Sequence, residues 1–387
     1  MFNSSIVNYQ YFNRSSLNFL QKWWLDIDKV NFFFVLFLII LGVIMITSSS
    51  TAVAEKIDAS KFMFIKKQLI FSLIAILILI SISFLDNKKI ISLAFLGMAI
   101  SFLMMLYLPI FGFEAKGSRR WISIFGFSLQ PSEFAKTFFV VINAYILCHF
   151  SQKKFLLNYG ISFVLLFLLA ILLVLQPDLG MTLIFISIWS IQLFLYGLPM
   201  VMVVLIGFFG VVGSIVAYLK FPHVKDRIDR FLDLDATNYQ AEMSLDAYQS
   251  GSFFGVGPGA GMVKNHIPDA HTDFIFAVIA EEFGIISCIA ILLLIFFVFS
   301  RIVSHAKKEN DLFSYLTLCG LLMQFTLQVI VNVGVTLSLL PTKGMTLPFI
   351  SYGGSSMLSM AICFGVILSL TKKRYHHQID YGNTRLI

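Results

Sequence analysis

IPDAHTDFIFAVIAEEFGIISCIAILLLIFFVFS, residues 267–300, joins a polar segment directly to a long apolar run. The run begins at Phe274 and continues to Phe299, which exceeds the roughly 20 helical residues that cross the hydrocarbon of a bilayer. Two adjacent acids, Glu281 and Glu282, interrupt it early. The stretch therefore predicts a membrane helix whose first turns carry polar chemistry.

Similar apolar runs recur along the whole chain. We place ten spans, at 31–49, 68–84, 90–108, 133–150, 156–176, 180–196, 199–219, 274–299, 313–339 and 355–370. Of the 387 residues, 58% are hydrophobic and 13% are charged, whereas roughly a quarter of positions are charged in globular proteins. The composition predicts an all-α, polytopic integral membrane protein.

An even number of spans puts both termini on one side of the membrane. Lysine and arginine are shared almost equally between the two sides, but they are denser beside the termini, as at Lys153-Lys154 and Lys307-Lys308. Positive residues are retained on the cytoplasmic face. The prediction is a cytoplasmic segment 1–30, a membrane domain 31–370 and a cytoplasmic tail 371–387, with a large outer loop 220–272 between spans seven and eight.

Several classes of function are excluded by the distribution of charged and metal-binding residues. The net charge is +7, but the basic residues form no stripe or nucleic-acid motif, so we expect no nucleic-acid partner. The four cysteines lie in apolar stretches and form no CxxC pair. His223, His266 and His271 lack zinc spacing, so no metal site is predicted.

Asp273 and Glu281 are the acids most suited to chemistry. Asp273 precedes the apolar run, where Thr272 or Asp273 would ordinarily cap the helix. Glu281 lies about 12 Å further along the helix, where a carboxylate costs roughly 2–3 kcal/mol or more unless it is partnered or hydrated. At 100° per residue the two acids can line one crevice that opens outward. The alternative for Glu281 is a protonated or paired side chain inside the bundle.

Other polar residues have two explanations each. Gln324, Gln328 and Asn332 recur every four residues on one helix face, where they either bond a neighbouring helix or line a cavity. The outer loops carry four notable cations, which either snorkel to lipid headgroups or bind an anion such as a phosphate. These cations are Lys116, Arg119, Arg120 and Lys343.

Five long motifs resemble those of the SEDS family (shape, elongation, division and sporulation) of bacterial membrane proteins. They are KGSRRWISIFGFSLQPSEFAK (116–136), LQPDLG (175–180), GVGPGAG (255–261), IPDAHTDFIFAVIAEEFG (267–284) and LLPTKGMTLPFISYGGSS (339–356). The resemblance runs from about residue 31 onward, and the last motif is closest to the cell-division branch. The first thirty residues carry no motif of the family.

The resemblance implies a peptidoglycan glycosyltransferase that polymerises lipid II at the outer face of the cytoplasmic membrane, at the septum. The essential acid of the family falls on Asp273 and its lysine before the last helix on Lys343. Its Arg-Trp pair falls on Arg120 and Trp121, and its Gln-Pro-Ser-Glu on 130–133. The substrate-binding candidates are Lys343, Arg120, Lys116, Arg119, Trp121, Glu281, Gln328, Asn332 and Ser351. The implied partners are a class B penicillin-binding protein and other division proteins.

The chemistry fits a single carboxylate. Displacement of a diphosphate from an anomeric carbon needs one base for the attacking hydroxyl and cations for the leaving group. Asp273 would be that base, with inversion at the donor carbon, and no cofactor is tightly bound, although a divalent cation can assist at the diphosphate. Two alternatives remain, a lipid II flippase that uses Glu281 and the 324–332 stripe, and a non-catalytic division scaffold. The broken helices of many transporters are not visible in the sequence.

Overall fold

Long apolar helices form most of the protein. The computed structural model describes residues 17–50, 53, 60, 62–115, 118–124, 126–149, 155–220, 225, 229 and 239–372. The helices are α1 (Phe19–Asp26), α2 (Lys29–Ser49), α3 (Met63–Ser83), α4 (Asn87–Phe111), α5 (Pro131–His149), α6 (Phe155–Leu175), α7 (Leu179–Tyr196), α8 (Met200–Lys220), α9 (Tyr239–Gly251), α10 (Ile275–Ala306), α11 (Leu312–Thr336) and α12 (Gly354–Leu370).

Each of the ten predicted spans coincides with one of these helices. Eight of them, within the described ranges, are long and apolar enough to cross a membrane: α2, α3, α4, α6, α7, α8, α10 and α11. Helix α12 is shorter, at 17 residues, and α5 carries Glu133 and Lys136 in its first turns. The prediction of an all-α polytopic membrane protein is confirmed.

The helices alternate in direction, so the loops gather at two ends of the bundle. We call the end that carries Asp273 the site end, and the other the opposite end. The inner helices are α5, α11 and α12, whose side chains are mostly buried. Most described side chains of α8 are exposed, as expected for a helix that faces lipid. Residues 1–16 and 373–387 lie outside the described residues, and the predicted cytoplasmic segments stay a prediction.

A small sheet at the site end was not predicted. Strands β1 (Phe113–Ala115), β2 (Ser118–Ile124) and β3 (Phe127–Leu129) pair in antiparallel order β1-β2-β3. Glu114 faces Arg119 in the first pair and Ser123 faces Ser128 in the second. Gly126, with φ of 78°, lies in the turn between β2 and β3, a backbone conformation that glycine adopts without strain. The sheet holds the Arg119-Arg120 pair beside α5.

The large outer loop is partly ordered against the bundle. Apolar residues at helical spacing in 239–250 predict an amphipathic helix, and α9 confirms it. The spacing at 224–232 predicts another, but that stretch lies outside the described residues except for Lys225 and Asp229. The glycine-rich stretch 251–261 forms tight turns, with positive φ at Gly255, Gly257 and Gly259.

Helix α10 is broken inside the bundle, which the sequence did not reveal. Gly284 has a φ of 79° and a ψ of 171°, so the helical hydrogen bonds stop there and resume after it. The glycine-rich loop satisfies the freed backbone groups. Val256 N and Gly257 N donate to the carbonyls of residues 281 and 282 (2.9 and 3.0 Å), and the amides of residues 285 and 286 donate to the carbonyls of residues 252 and 253 (3.0 and 3.3 Å). Buried backbone groups need such partners.

Candidate active site

Asp273 lies at the site end, where the polar segment meets α10. The N-cap position falls on Phe274, so the sequence-based assignment of the cap to Thr272 or Asp273 is wrong. The amide of Asp273 donates to the carbonyl of Asp269 (3.1 Å). The half-buried carboxylate lies against Gly344, where an added Cβ would be 3.2 Å from Asp273 Oδ2. The carboxylate therefore packs beside the segment that carries Lys343.

Asn332 ties these two segments together. Its Nδ2 donates to the carbonyl of Asp273 (2.9 Å) and to the carbonyl of Met345 (2.6 Å). The side chain is buried between α11 and both segments. Asn332 therefore fixes the spacing between the Asp273 and Lys343 backbones, which is the first of its two predicted explanations, and its role as a substrate contact stays a prediction.

Gln328 and Gln324 also bond neighbouring elements. Gln328 Nε2 donates to Ser356 Oγ (2.8 Å) and to the carbonyl of Thr346 (3.0 Å), while its Oε1 accepts from Lys136 Nζ (2.8 Å). Gln324 Nε2 donates to Thr137 Oγ1 (2.8 Å). Of the two explanations for the stripe, the structure supports interhelical bonding. Gln328 is buried and is a positioning residue rather than an exposed contact.

Lys343 lies across the start of α7. A Cβ added at Gly180 would overlap the Lys343 side chain and would be 2.5 Å from its Nζ. Asp178 caps the same helix, since its side chain accepts from Met181 N (3.1 Å). Burial lowers the pKa of Lys343 from 10.5 to about 8, although the negative charge of Asp178 opposes this effect. The side chain of Lys343 therefore loses its proton as pH rises through about 8.

Arg120 is fixed to the turn that precedes α7. Its Nε donates to the carbonyl of Gln176 (3.0 Å), its Nη2 donates to the carbonyl of Pro177, and its Nη1 lies 3.5 Å from Asp178 Oδ2. Lys343 and Arg120 therefore both lie at the start of α7, where Asp178 is the neighbouring carboxylate. The motifs at 116–136, 175–180 and 339–356 come together at this point.

The other predicted cations are placed differently. Arg119 is exposed, 3.8 Å from Glu114, and donates to the carbonyl of Pro109 (3.1 Å). It points away from Arg120 because successive strand residues face opposite sides. Trp121 is half-buried on the same strand. Lys116 lies outside the described residues.

Glu281 does not line a crevice with Asp273. Its side chain is fully buried, and its two oxygens accept from the amides of Val263 (2.7 Å) and Lys264 (2.9 Å). The carboxylate also lies against Gly261, where an added Cβ would be 2.8 Å from its Cδ. Glu281 anchors the outer loop, so the alternative of a partnered glutamate inside the bundle is the one observed.

Ser351 is also an internal residue. It is buried, and its Oγ accepts from the amide of Leu347 (2.8 Å), which closes the turn before α12. The structure thus shows a local role for Ser351, and its assignment as a substrate contact stays a prediction.

Sequence reasoning missed two contributors to this site. Lys136 is buried and pairs with Glu133 (2.7 Å) as well as with Gln328. Gly180 provides the flat surface on which Lys343 lies. Their places in the motifs 116–136 and 175–180 gave the only signal, since neither residue type by itself indicates a site. In the described part of the chain, no group of three His, Cys, Asp or Glu side chains could hold a metal ion.

Comparison with known proteins gives consistent matches. The family model described as "Cell cycle protein", FtsW/RodA/SpoVE, matches residues 29–376. The "Probable peptidoglycan glycosyltransferase FtsW" of Caulobacter vibrioides is 35% identical over 365 residues, 94% of each chain. The "Stage V sporulation protein E" of Bacillus subtilis is 32% identical over 87% of this chain and 94% of its own.

Solved structures give the same fold. A chain of the structure described as "Structural coordination of polymerization and crosslinking by a peptidoglycan synthase complex" superposes with a TM-score of 0.74 at 26% identity, covering 90% of this chain and 98% of that chain. The Rod shape determining protein RodA of Thermus thermophilus superposes with a TM-score of 0.65 at 24% identity, covering 90% and 97%. The second likeness shows the fold alone.

Proposed function

The chain belongs to the FtsW/RodA/SpoVE family of cell cycle proteins, and on that premise we propose that it is a peptidoglycan glycosyltransferase that polymerises lipid II during cell division. The names of relatives that are 33–36% identical over most of the chain support this activity. The fold shared with a chain of a peptidoglycan synthase complex supports it independently.

One observation carries the proposal. The Asp273 carboxylate lies against the segment that carries Lys343, and Asn332 holds the two backbones together. Lys343 in turn lies against Gly180 at the start of α7, where Arg120 lies 3.5 Å from Asp178. A carboxylate and two cations are thereby held at one end of a membrane bundle, which are the groups that transfer of a sugar from a lipid diphosphate requires.

The proposed reaction uses Asp273 as general base. The carboxylate takes the proton of the 4-hydroxyl of the acceptor sugar while that oxygen attacks the anomeric carbon of the donor. The bond from this carbon to the diphosphate oxygen breaks, and the lipid diphosphate leaves with its charge balanced by Lys343 and Arg120. Attack from the face opposite the leaving group inverts the anomeric carbon. One carboxylate suffices because a diphosphate needs little protonation to leave.

The remaining site assignments belong to the proposal as well. Lys116, Arg119 and Trp121 are proposed to contact the substrate, and a divalent cation is proposed to assist only at the diphosphate of the substrate. Gln328 and Asn332 act as positioning residues.

The cellular setting follows from the same premise. We place both termini in the cytoplasm and the site end on the outer face of the cytoplasmic membrane, at the division septum. A class B penicillin-binding protein is the proposed partner. The solved synthase complex is described as coordinating polymerization with crosslinking, which supports a transpeptidase partner.

The break in α10 favours one competing function. Discontinuous helices are typical of transporters, so a lipid flippase predicts such a break. Here the freed backbone groups at Gly284 are bonded to the chain's own loop and do not face an open path. The glycosyltransferase therefore remains the better explanation.

Replacement of Asp273 by asparagine tests the proposal. We expect Asp273→Asn to lower the rate of glycan polymerisation at least about 100-fold, because the amide cannot accept the proton. The assay uses the full chain with its transpeptidase partner and lipid II, and measures glycan length over time. Asp269→Asn is the matched control, since Asp269 has a φ of 57° that asparagine adopts readily.

Two outcomes contradict the assignment. Normal polymerisation by Asp273→Asn protein would reject Asp273 as the base. Lipid II flipping in sealed vesicles, with no glycan growth by the wild-type chain, would favour the transporter. Thermal unfolding of each variant separates loss of the base from loss of the fold.

A further inference from the structure

Two pairs of contacts join α2 to α10 near the two ends of α2. At the opposite end, Asp28 at the start of α2 accepts from Arg301 Nη2 (2.9 Å) and lies 3.1 Å from His305 Nε2 of α10. Towards the site end, Ser48 Oγ of α2 donates to Glu282 Oε1 of α10. At 1.5 Å per residue, residues 28 and 48 are about 30 Å apart along α2, and residues 282 and 301 about 28 Å apart along α10. Both separations match the hydrocarbon thickness of about 30 Å.

The break in α10 lies beside the Ser48–Glu282 contact. Gly284 follows Glu282 by two residues, so the break is level with the site end of α2, a helix long and apolar enough to cross a membrane. Segment 252–256, which we call the hook, is bonded into this break through its backbone. An added Cβ at Gly251, Gly255 or Gly284 would overlap backbone atoms across the contact. The hook is therefore held rigidly beside the break, at the level of the Ser48–Glu282 contact.

The side chains of the hook point away from the protein. Phe253 is 66% exposed and Phe254 is 83% exposed. On α10, immediately past the break, Ile286 and Ile289 are exposed too. They begin the strip of apolar side chains that α10 presents to lipid. The two phenylalanines therefore extend an existing lipid-facing surface.

We propose that the hook inserts Phe253 and Phe254 into the lipid leaflet on the Asp273 side, as an anchor that fixes the depth of the broken helix. Phenylalanine is among the residues whose insertion into a bilayer is favourable. The helical turns 275–283 rise about 14 Å above the break, so the anchor holds Asp273 above the hydrocarbon. The inference concerns how deeply the chain sits in the membrane and does not depend on the proposed function.

Fluorescence depth measurements test the anchor. The full chain is placed in lipid vesicles, with its cysteines (Cys148, Cys288, Cys319 and Cys363) replaced by alanine, and Phe254→Cys is labelled with an environment-sensitive dye. The matched control is Tyr239→Cys, an exposed aromatic position on the same outer loop, about 18 Å along α9 from Gly251. We expect blue-shifted emission at position 254 and quenching by acyl-chain nitroxide lipids, whereas position 239 is quenched by iodide in the water.

Two results would overturn the proposal. Iodide quenching at position 254 equal to that at position 239 would place the hook in water. Protection of position 254 from both quenchers would show that protein covers it, either a partner or a second copy of the chain.

A second measurement avoids the bulk of the dye. Apolar surroundings raise the pKa of a thiol and leave little of the reactive thiolate, so a charged maleimide should alkylate unlabelled Phe254→Cys protein more slowly than Tyr239→Cys protein. Equal alkylation rates would reject insertion. Neither measurement uses glycan synthesis, so failure of the anchor is distinguishable from failure of the proposed enzyme.

Discussion

The residue that most directly shapes the cation site has no side chain. Gly180 lies 163 positions before Lys343, yet the lysine packs flat on it at the start of α7. Any larger residue would displace the end of the lysine side chain rather than the backbone. The position of the charge therefore depends on a glycine that the sequence marks only through its motif, LQPDLG.

Gly180→Ala should lower activity without unfolding the protein. We expect polymerisation to fall by up to about 100-fold, because a shift of about 1 Å in a charged group can cost that much. The fold should persist, since alanine favours a helix over glycine and Lys343 can move. Polymerisation rate and thermal unfolding are measured together. Gly160→Ala in α6 is the matched control, because an added Cβ there meets nothing within 4 Å; equal activity of the two variants would contradict the role of Gly180.

The pKa of Lys343 predicts an alkaline limit to activity. Burial holds this pKa at about 8, so the cation is lost as pH rises through 8, and kcat/KM for lipid II should fall tenfold per pH unit above it. In the unfolded chain, Lys343 keeps its proton up to its ordinary pKa of 10.5. Between about pH 8 and 10.5 the unfolded state therefore binds more protons than the folded state, and the contribution of Lys343 to the free energy of unfolding rises with pH.

The Lys343→Arg variant tests whether Lys343 or another group causes the alkaline limit. A guanidinium stays protonated throughout this range, so the alkaline decline should disappear even if the maximal rate is reduced. The rate is measured from pH 7 to pH 10 with the partner present. An unchanged decline in this variant would assign the alkaline limit to another group.

At the scale of elements, the broken helix is the feature that most affects the site. Backbone groups of loop 252–257 form hydrogen bonds with the backbone groups that the break leaves without helical partners. Glu281 accepts hydrogen bonds from the amides of residues 263 and 264 and so anchors the following turn. The polar segment that ends at Asp273 follows directly. The outer loop and α10 therefore form one unit that sets the position of the proposed base.

Gly284→Ala should weaken this unit. The residue has a φ of 79°, and an added Cβ would overlap the carbonyl oxygen of Phe253. Strain at such a position costs roughly 1–3 kcal/mol, and the backbone clash adds to it. We expect a lower free energy of unfolding in bilayer discs and faster hydrogen exchange in segment 252–257. The control is Gly207→Ala in α8, where an added Cβ is in open space. Equal hydrogen exchange in both variants would contradict a structural role for the hydrogen bonds between segment 252–257 and the break.

At the scale of the whole molecule, different kinds of contact join the helices at the two ends of the bundle. The site end uses backbone contacts and buried polar side chains, while the opposite end relies on Asp28, which joins α2 to Arg301 and His305 of α10. Burial raises the pKa of Asp28, but hydrogen bonds from His305 and Arg301 outweigh it and hold the pKa at about 2, below the ordinary 3.8.

Asp28→Asn should destabilise the protein in a pH-dependent manner. A lowered carboxyl pKa contributes stability above pH 3.8 that is lost as pH falls through about 2. The shift corresponds to about 2 kcal/mol. We expect that loss in the free energy of unfolding at pH 7, and a small difference between variant and wild type near pH 2. A pH-independent difference would contradict the ion-pair explanation.

The sequence by itself determined the class of the protein, the positions of ten apolar helices, helix α9 and the motifs that carry Asp273, Lys343 and Arg120. Insertion of a helix depends on the transfer free energy of about 20 consecutive residues, which is a local property that can be read along the chain. Tertiary structure alone decided the break at Gly284, the inward role of Glu281, Gln328 and Asn332, and the contact of Lys343 with Gly180. These depend on which helices become neighbours, because a buried polar group takes whatever hydrogen-bond partner packing brings to it, however distant that partner is in sequence.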